Sequence, residues 1–255
     1  MATRREVRKT AFVTGASYGI GAAIALALAR DGFDVVVSAT RLENVAETSA
    51  KIEALGARVC ALALDVRSSD SVQAAFAQAV ERIGALDVLV NNAGIPLNKF
   101  VLDVTPGEWE NVLATNVSGT FFMSQAMGRH LIERGREGLI VNVASTHGIV
   151  GFPKRAAYGI SKAAVMHMTR MLAIEWAQHR IRVNAVAPGR VESNSPGRAE
   201  TMSDAQFLEV ALKRIPLGRF CTVEDVAEAV SYLASPGAAY MTGHTLVLDG
   251  GVTVA

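Results

Sequence analysis

Short apolar runs alternate with longer amphipathic stretches along most of this chain. The apolar runs, rich in Val, Ile, Leu and Ala, predict seven strands at residues 10–14, 35–39, 59–64, 88–91, 139–144, 182–187 and 245–248. The stretches between them have a helical spacing of apolar positions, which predicts six helices at residues 19–31, 42–55, 69–83, 105–134, 156–179 and 222–234. Strands that are apolar on both faces and are joined by helices indicate a parallel sheet that is covered on both sides.

This alternation predicts a single α/β domain over residues 1–255, with a doubly wound, seven-stranded sheet of the Rossmann type. The length of 255 residues suits one such domain, and no repeat, low-complexity tract or linker interrupts it. Residues 191–217 depart from the alternation, because they are rich in Ser, Pro, Gly and Asn before a weakly helical part. An insertion directly after a strand often serves a binding crevice, so we expect a substrate loop there; a disordered surface loop is the alternative.

Composition and charge exclude several classes of function. The net charge of +1 gives no reason to expect nucleic-acid binding, and the basic residues near the N-terminus are better interpreted as a solvated arm. No apolar run approaches the roughly 20 residues of a membrane span, and no secretory signal precedes Thr10, so we expect a cytoplasmic protein without membrane partners. Cys60 and Cys221 lie far apart and the histidines lack metal-ligand spacing, which predicts reduced thiols and no metal site.

A glycine-rich segment joins the first predicted strand to the first predicted helix. Glycines permit a tight turn and a close approach of the backbone to a pyrophosphate, while the helix N-terminus offers unpaired N–H groups. The position of the segment between a strand and a helix is what this mechanism requires. We therefore expect the segment to bind a dinucleotide, a purely structural turn being the alternative. The residues expected to contact the phosphates are Gly15, Ser17, Tyr18, Gly19, Ile20 and Gly21.

The end of the second strand predicts which dinucleotide binds. An acidic residue there favours NAD by bonding the ribose 2′-hydroxyl, whereas a basic residue accommodates the 2′-phosphate of NADP. The sequence offers Thr40 and Arg41, with no carboxylate before Glu43. Arg41 can pair with a phosphate and Thr40 can hydrogen-bond it, so NADP(H) is favoured over NAD(H). Tyr18 occupies a loop position where a second basic residue would strengthen this preference, and NAD(H) stays open as the alternative.

Together with further motifs, these features resemble the short-chain dehydrogenase/reductase family over nearly the whole chain. The motifs, in order, are residues 14–21, Asp65-Val66, Asn91-Asn92-Ala93-Gly94, Asn116, Ser145, Tyr158 with Lys162, Pro188-Gly189 and Asp249-Gly250-Gly251. The resemblance implies an oxidoreductase that transfers a hydride between NADP(H) and a small-molecule secondary alcohol or ketone. It also implies a homotetramer. Within the family, the chain is similar to 3-oxoacyl-thioester reductases and to sugar or polyol dehydrogenases.

The resemblance implies a catalytic tetrad of Asn116, Ser145, Tyr158 and Lys162, with Tyr158 as general acid or base. Tyr158 and Lys162 are four residues apart, so they share one face of a helix. A lysine ammonium about 4 Å away, at an effective dielectric of about 20, is worth about 4 kcal/mol. Such an interaction favours the tyrosinate and lowers the pKa of a tyrosine toward the range that acid–base catalysis needs.

The other two members of the implied tetrad assist this pair. Ser145 would polarise the substrate oxygen and hold it near the tyrosine, although an ordinary strand-end cap is the alternative. The resemblance implies that Asn116 bends its helix and holds a water that links Lys162 to solvent. His147, two residues after Ser145, is a candidate substrate contact, an exposed loop histidine being the alternative.

The resemblance also implies contacts to the cofactor after three other strands and from the tetrad. Tyr158 and Lys162 would contact the nicotinamide half, with Lys162 on its ribose. The remaining contacts are Asp65 and Val66 at the adenine, Asn92, Ala93 and Gly94 beside the nucleotide, and Pro188, Gly189 and Val191 at the nicotinamide carboxamide. Ser193 stands where the family often has a threonine after this turn.

Three alternative functions stay open. An NAD-dependent sugar or polyol dehydrogenase would share the fold and the tetrad. A catalytically inactive, nucleotide-sensing binding protein would usually have lost the tyrosine or the lysine, which this chain retains as Tyr158 and Lys162. An epimerase or dehydratase with transient oxidation would tend to be longer and to carry a separate substrate domain. Turnover with NADPH and a ketone separates these alternatives.

Overall fold

A parallel sheet forms the centre of the computed structural model, which describes residues 8–192 and 210–255. Its seven strands have the order β3-β2-β1-β4-β5-β6-β7. They are β1 Thr10–Thr14, β2 Asp34–Ala39, β3 Val59–Ala63, β4 Val88–Asn91, β5 Gly138–Val143, β6 Ile181–Pro188 and β7 Thr245–Leu248. Each predicted strand is confirmed to within one residue at either end, and the Rossmann-type architecture is confirmed with them.

Helices cover both faces of the sheet. They are α1 Gly19–Arg30, α2 Ala46–Ala54, α3 Ser69–Ile83, α4 Pro106–Leu113, α5 Gly119–Glu133, α6 Ala156–Trp176 and α7 Val223–Ala234. Helices α1, α2 and α7 contribute to the core on one face, and α3, α5 and α6 to the core on the other. Each helix buries a stripe of apolar residues against strands that are themselves apolar on both sides, which is the arrangement that the sequence pattern predicts.

Three predicted helices differ from the structure in their internal hydrogen bonding, and the one predicted at 156–179 ends in a 3-10 turn, Ala177–His179. The predicted helix 42–55 opens with a 3-10 turn, Leu42–Val45, and becomes α-helical only from Ala46. The predicted helix 105–134 is divided into α4 and α5 by a π-helical segment, Ala114–Ser118. π-helical segments are rare in proteins, and those that do occur often lie at functional sites. Asn116 therefore lies at a helix irregularity that apolar periodicity does not reveal.

The winding of the sheet reverses at β1. This strand pairs with β2 on one side and with β4 on the other. The chain therefore adds β2 and β3 outward on one side of β1 and adds β4 to β7 outward on the other side. In doubly wound sheets, a crevice opens at the carboxyl ends of the strands at this point and binds the ligand. Because all seven strands are parallel, the segments that follow β1, β2, β4, β5 and β6 meet at the same edge. The fold thus gathers the predicted site residues along one edge.

Candidate active site

The glycine-rich segment after β1 is packed against the end of β4. Gly15 has a left-handed φ of +65°, and a Cβ on Gly21 would come within 2.3 Å of the Gly15 carbonyl oxygen, so both positions require glycine. Asn92 Nδ2 donates hydrogen bonds of 2.8 Å to the Gly15 carbonyl and 3.0 Å to the Thr14 carbonyl. The N–H groups of Asn92 and Ala93 donate to Thr14 Oγ1, each at 3.1 Å. These two predicted cofactor segments therefore form one connected structure.

The first turn of α1 fits an anionic group. Its N-cap, Tyr18, is extended with φ −162°, provides no side-chain cap, and precedes a turn that contains no acidic residue. The N–H groups of a first helical turn have no partner within the helix, and the helix dipole favours negative charge there. Ser17, Gly19 and Ile20 flank this entrance. The arrangement suits the pyrophosphate of a dinucleotide.

Thr40 and Arg41 are exposed directly after β2. Within residues 8–192 and 210–255, no carboxylate forms an ion pair with the Arg41 guanidinium. An arginine that is not already neutralised keeps its planar set of N–H donors for a phosphate. The chemistry at this position therefore fits a ribose 2′-phosphate.

Asp65 is held by Arg67, a residue that the motif comparison does not single out. Arg67 donates from Nη2 at 2.7 Å and from Nε at 2.9 Å to the Asp65 carboxylate, and from Nη1 at 3.0 Å to Asn111 Oδ1. The Arg67 guanidinium holds the pKa of Asp65 below its ordinary value. Val66, the second residue of the expected adenine pair, has a buried side chain. The pair thus has one side chain in the core and one in an exposed ion pair.

Asn116 is fully buried, and protein groups occupy its side-chain amide. Its Oδ1 accepts a 2.8 Å hydrogen bond from the Ile95 N–H, and its Nδ2 donates to the Ile95 carbonyl at 3.0 Å. A further 3.0 Å hydrogen bond runs from Nδ2 to Ser161 Oγ on α6. The side chain therefore ties the segment after β4 to the helix that carries Tyr158. The implied helix irregularity is present as the π-helical segment, and the implied water contact stays a prediction.

Lys162 is buried one turn after Tyr158 on α6. Its Nζ donates a 2.7 Å hydrogen bond to the Val143 carbonyl at the end of β5 and lies 5.7 Å from the centre of the Tyr158 ring. Burial lowers the pKa of Lys162 to about 8, because desolvation destabilises the ammonium. Gly94 lies beside it, since a Cβ at this position would be 3.4 Å from Nζ. The Lys162 ammonium is thus placed inside the protein beside the Tyr158 ring.

Ser145 precedes a 3-10 turn, Thr146–Gly148, that packs on the start of α6. A Cβ on Gly148 would come within 2.7 Å of a backbone nitrogen of α6, and a Cβ on Gly159 within 2.7 Å of the His147 carbonyl oxygen. Glycine at these two positions lets the turn and the helix touch through their backbones. Ser145 is 5% exposed, and its Oγ accepts a 3.3 Å hydrogen bond from the His147 N–H. The backbone contacts at Gly148 and Gly159 hold the turn that follows Ser145 against the helix that carries Tyr158.

His147 connects Ser145 to Tyr158. Its Nδ1 lies 3.3 Å from Ser145 Oγ, and its ring meets the Tyr158 ring edge to face with the centroids 5.9 Å apart. The Phe152 ring lies 5.4 Å away, centroid to centroid. Sequence position alone leaves two interpretations of His147, a substrate contact and an exposed loop histidine. The packing of its turn on α6 adds two partners that no motif could reveal.

The turn after β6 lies against the C-terminal strand. Pro188 ends β6, and the Gly189 N–H donates to the Leu248 carbonyl at 2.9 Å. Val191 is buried and forms a parallel bridge with Cys221. Ser193 and most of the expected substrate loop, residues 193–209, lie outside the described residues, as does the N-terminal arm at residues 1–7.

A cavity of about 540 Å³ opens beside the N-terminal end of α6. Phe152, on its wall, is the residue that contacts His147 on the other side. Large apolar side chains are exposed around it, with Leu102 99% exposed. The lining residues are Phe100, Val101, Leu102, Asp103, Phe152, Pro153, Lys154 and Ala156. The cavity thus has a mainly apolar wall, and Phe152 is its point of contact with the turn after Ser145.

Metal and membrane sites are not found in the described part of the chain. No group of three or more His, Cys, Asp and Glu side chains there could hold a metal ion. No helix among these residues is long and apolar enough to cross a membrane. Cys60 and Cys221 are free thiols, and burial raises the pKa of Cys221 to about 11, which disfavours a reactive thiolate.

The chain is similar to known enzymes over nearly its whole length. The sequence profile of a family described as Enoyl-(Acyl carrier protein) reductase matches residues 15–253. The 2-dehydro-3-deoxy-D-gluconate 5-dehydrogenase of Escherichia coli (strain K12) is 38% identical over 245 residues, which cover 95% of this chain and 94% of that protein. The chain belongs to the short-chain dehydrogenase/reductase family.

Two further relatives extend the similarity of this short-chain dehydrogenase/reductase. The 3-oxoacyl-[acyl-carrier-protein] reductase of Staphylococcus aureus (strain Mu50) is 40% identical over 248 residues, covering 97% of this chain and 99% of that protein. A crystal structure from Agrobacterium tumefaciens, provisionally named a 2-deoxy-D-gluconate 3-dehydrogenase and containing bound NADP, is 36% identical; 97% of each chain is covered, with a TM-score of 0.88. The protein is thus an oxidoreductase of this NAD(P)-dependent family, acting on CH–OH and C=O groups.

Proposed function

We propose that the protein interconverts a secondary alcohol and a ketone with NADP(H), and that Tyr158 transfers the proton. The arrangement around the Tyr158 ring carries the proposal. The buried Lys162 ammonium lies 5.7 Å from the centre of this ring, and the His147 ring lies 5.9 Å from it. Ser145 Oγ is within hydrogen-bond distance of His147 Nδ1. A phenol, a cation and a hydroxyl donor are thereby collected at the carboxyl edge of the sheet, next to the glycine-rich segment.

Each of these groups has a role that follows from its chemistry. The Lys162 ammonium attracts negative charge and so favours the tyrosinate form of Tyr158. The Ser145 hydroxyl can donate a hydrogen bond to the substrate oxygen and hold it for proton transfer. During oxidation the tyrosinate accepts the proton of the alcohol, and during reduction the phenol returns a proton to the carbonyl oxygen. When bound, the nicotinamide supplies or accepts the hydride.

The cofactor we propose is NADP(H) rather than NAD(H). The first turn of α1 suits the pyrophosphate, and Arg41, which has no ion pair among residues 8–192 and 210–255, suits the 2′-phosphate together with Thr40. The bound NADP in the relative from Agrobacterium tumefaciens supports this choice. The family resemblance assigns the remaining contacts to Asp65, Val66, Asn92, Ala93, Gly94, Pro188, Gly189 and Val191.

The substrate class we propose is an apolar ketone, such as a 3-oxoacyl compound, rather than a sugar or polyol. The cavity at the N-terminal end of α6, the helix that carries Tyr158, exposes Phe100, Val101, Leu102 and Phe152. Covering exposed apolar surface is favourable, and an apolar substrate can do so whereas a polyol would lose hydration without replacement. A panel of ketones of increasing chain length, assayed beside sugar-derived ketones, tests this choice. A preference for the sugar derivatives would favour the polyol dehydrogenase alternative.

Tyr158→Phe tests the proposed role of the tyrosine. The substitution removes one O–H group and keeps the ring, so we expect turnover to fall by about 100-fold or more while NADPH affinity changes less than about twofold. The exposed Tyr240 supplies a matched control, because Tyr240→Phe removes the same group far from the tetrad. Full activity in the Tyr158→Phe variant would overturn the proposed mechanism.

The homotetramer implied by the family is also a proposal. Apolar side chains are exposed on α5, α6 and β7, and burial against other copies of the chain would remove this surface from water. They include Phe121, Phe122, Ile174 and Val247. Light scattering on the purified protein measures the assembly, and a monomer would contradict the proposal.

A further inference from the structure

We infer that His147 is a positioning residue that sets the direction of the Ser145 hydroxyl proton. The inference rests on the proposed function, in which that hydroxyl donates a hydrogen bond to the substrate oxygen. It begins from two contacts at one oxygen atom. Ser145 Oγ lies 3.3 Å from the backbone nitrogen of His147 and 3.3 Å from Nδ1 of the same residue.

The hydrogen-bonding capacity of a serine hydroxyl makes the second contact decisive. A hydroxyl has one proton to donate and two lone pairs to accept. The His147 N–H engages one lone pair of Ser145 Oγ. When Nδ1 carries a proton, it donates to the second lone pair, and the serine O–H is left to point at the substrate oxygen. When Nδ1 is bare, it accepts the serine proton, and the hydroxyl can no longer polarise a carbonyl.

The active arrangement is therefore the one in which His147 Nδ1 is protonated and donates to Ser145. The same arrangement serves both directions of the reaction. A ketone oxygen needs a donor as negative charge develops on it, and an alcohol oxygen needs one as its own proton leaves for Tyr158. His147 does not touch the reacting atoms in this role; it acts through the hydroxyl that does.

The packing of the imidazole explains how Nδ1 keeps its place. The ring contacts Tyr158, at 5.9 Å, and Phe152, at 5.4 Å, measured between ring centroids. The backbone that carries it is fixed on α6 by the close contact at Gly159. Two aromatic neighbours and a backbone in contact with the helix restrict the rotamers of His147. The distance from Nδ1 to Ser145 is therefore set by the fold.

Two substitutions at His147 separate the nitrogen from the ring. His147→Phe keeps an aromatic ring against Tyr158 but removes Nδ1, so we expect ketone reduction to fall about tenfold, the effect of one hydrogen bond, with NADPH affinity unchanged. His147→Asn keeps an N–H donor near the position of Nδ1, so we expect activity within about threefold of the original. The control is His179→Phe, an exposed histidine past the far end of α6, about 30 Å along the helix.

A double-mutant cycle with Ser145→Ala decides between this role and a structural one. If His147 acts only through the serine hydroxyl, His147→Phe has no further effect on turnover once that hydroxyl is gone. A tenfold loss that persists in the Ser145→Ala background would overturn the inference, and so would an Asn variant as impaired as the Phe variant. Full activity of Ser145→Ala alone would instead contradict the proposed function, so the two failures are distinguishable.

Discussion

Lys162 Nζ lies 2.7 Å from the carbonyl oxygen of Val143, with no carboxylate among its ion-pair partners in the described part of the chain. A buried ammonium that is held by a carbonyl and lacks a counter-charge destabilises the fold, and its pKa falls to about 8 for this reason. In the proposed mechanism this buried positive charge, which lies beside the Tyr158 ring, favours the tyrosinate form of Tyr158.

The pH dependence of stability should report this buried lysine. Its pKa is 10.5 in the unfolded reference and about 8 in the folded protein, so the unfolded chain binds more protons between these values. Raising the pH from about 8 to about 10.5 should therefore stabilise the folded state by about 3 kcal/mol through this residue. Denaturant unfolding of the original chain and of Lys162→Met, across this pH range, measures the difference.

Lys162→Met should lack that rise in stability and should also be inactive. Lys51→Met provides the control, since Lys51 is an exposed lysine that pairs with Glu47 on α2. The Lys51→Met variant should retain both the rise and the activity. An identical pH profile in all three proteins would show that Lys162 is not a buried cation.

Arg41→Ala should separate the two nicotinamide cofactors. The loss of a charge-assisted contact to the 2′-phosphate should weaken NADPH binding by about 1–3 kcal/mol, whereas NADH has no group at that position to lose. Titrations that follow nicotinamide fluorescence give both dissociation constants for the original and the variant. Equal losses for the two cofactors would contradict the assignment of Arg41 to the 2′-phosphate.

His130 should make the fold sensitive to acid. Its Nε2 accepts a 3.1 Å hydrogen bond from the Leu86 N–H, and its pKa falls from 6.5 to about 4 because of burial, with Arg134 and Arg136 adding to the effect. The unfolded chain therefore binds a proton more readily than the folded chain between these values, so acidification favours unfolding. At pH 5 the loss of stability from this residue should be about 2 kcal/mol relative to pH 7.

Denaturant unfolding at pH 7 and pH 5 checks the role of His130. The His130→Gln variant should lack this part of the acid-induced loss, whatever its stability at pH 7. The exposed His179 is the comparison. Between pH 7 and pH 5, the His179→Gln variant should lose as much stability as the original chain. The prediction fails if His130→Gln is equally sensitive to acid.

Gly148→Ala should displace the turn that follows Ser145. Its Cβ would come 2.7 Å from a backbone nitrogen of α6, a contact that only a movement of the turn can relieve. We expect a loss of about 1–3 kcal/mol in stability, as for other overpacked positions, and a fall in turnover with NADPH affinity retained. Gly151→Ala is the matched control, since no atom lies within 4 Å of its added Cβ. Equal behaviour of the two variants would contradict the close contact.

The sheet and most helices could be predicted because their causes are local or periodic. Strand β1, for example, is buried at every residue and so contrasts in composition with the helices around it. The π-helical segment Ala114–Ser118 is not visible in the apolar spacing, and only the family resemblance implies a bend at Asn116. Its central residue, Asn116, is instead held by Ile95 and Ser161, which are remote in sequence.

In the site, too, residues at motif positions could be predicted, whereas the partners that they contact could not. Tyr158, Lys162 and Ser145 could be singled out from spacing and resemblance. The hold of Arg67 on Asp65 and the contact of His147 with Tyr158 could not, because each depends on where folded segments meet. In the second case the decisive feature is the approach of two backbones at Gly159, which no pattern of side chains encodes.

The backbone contact at Gly148 and Gly159 also bears on how such an enzyme can acquire a new substrate. Main-chain atoms, rather than the cavity wall, hold the turn after Ser145 against the helix of Tyr158. Leu102, 99% exposed on that wall, takes no part in this contact. Replacements at wall positions such as Leu102 can therefore accumulate during evolution while the backbone contact between the turn and α6 is inherited unchanged. In the proposed function, the molecule thereby separates the part that chooses a substrate from the part that transforms it.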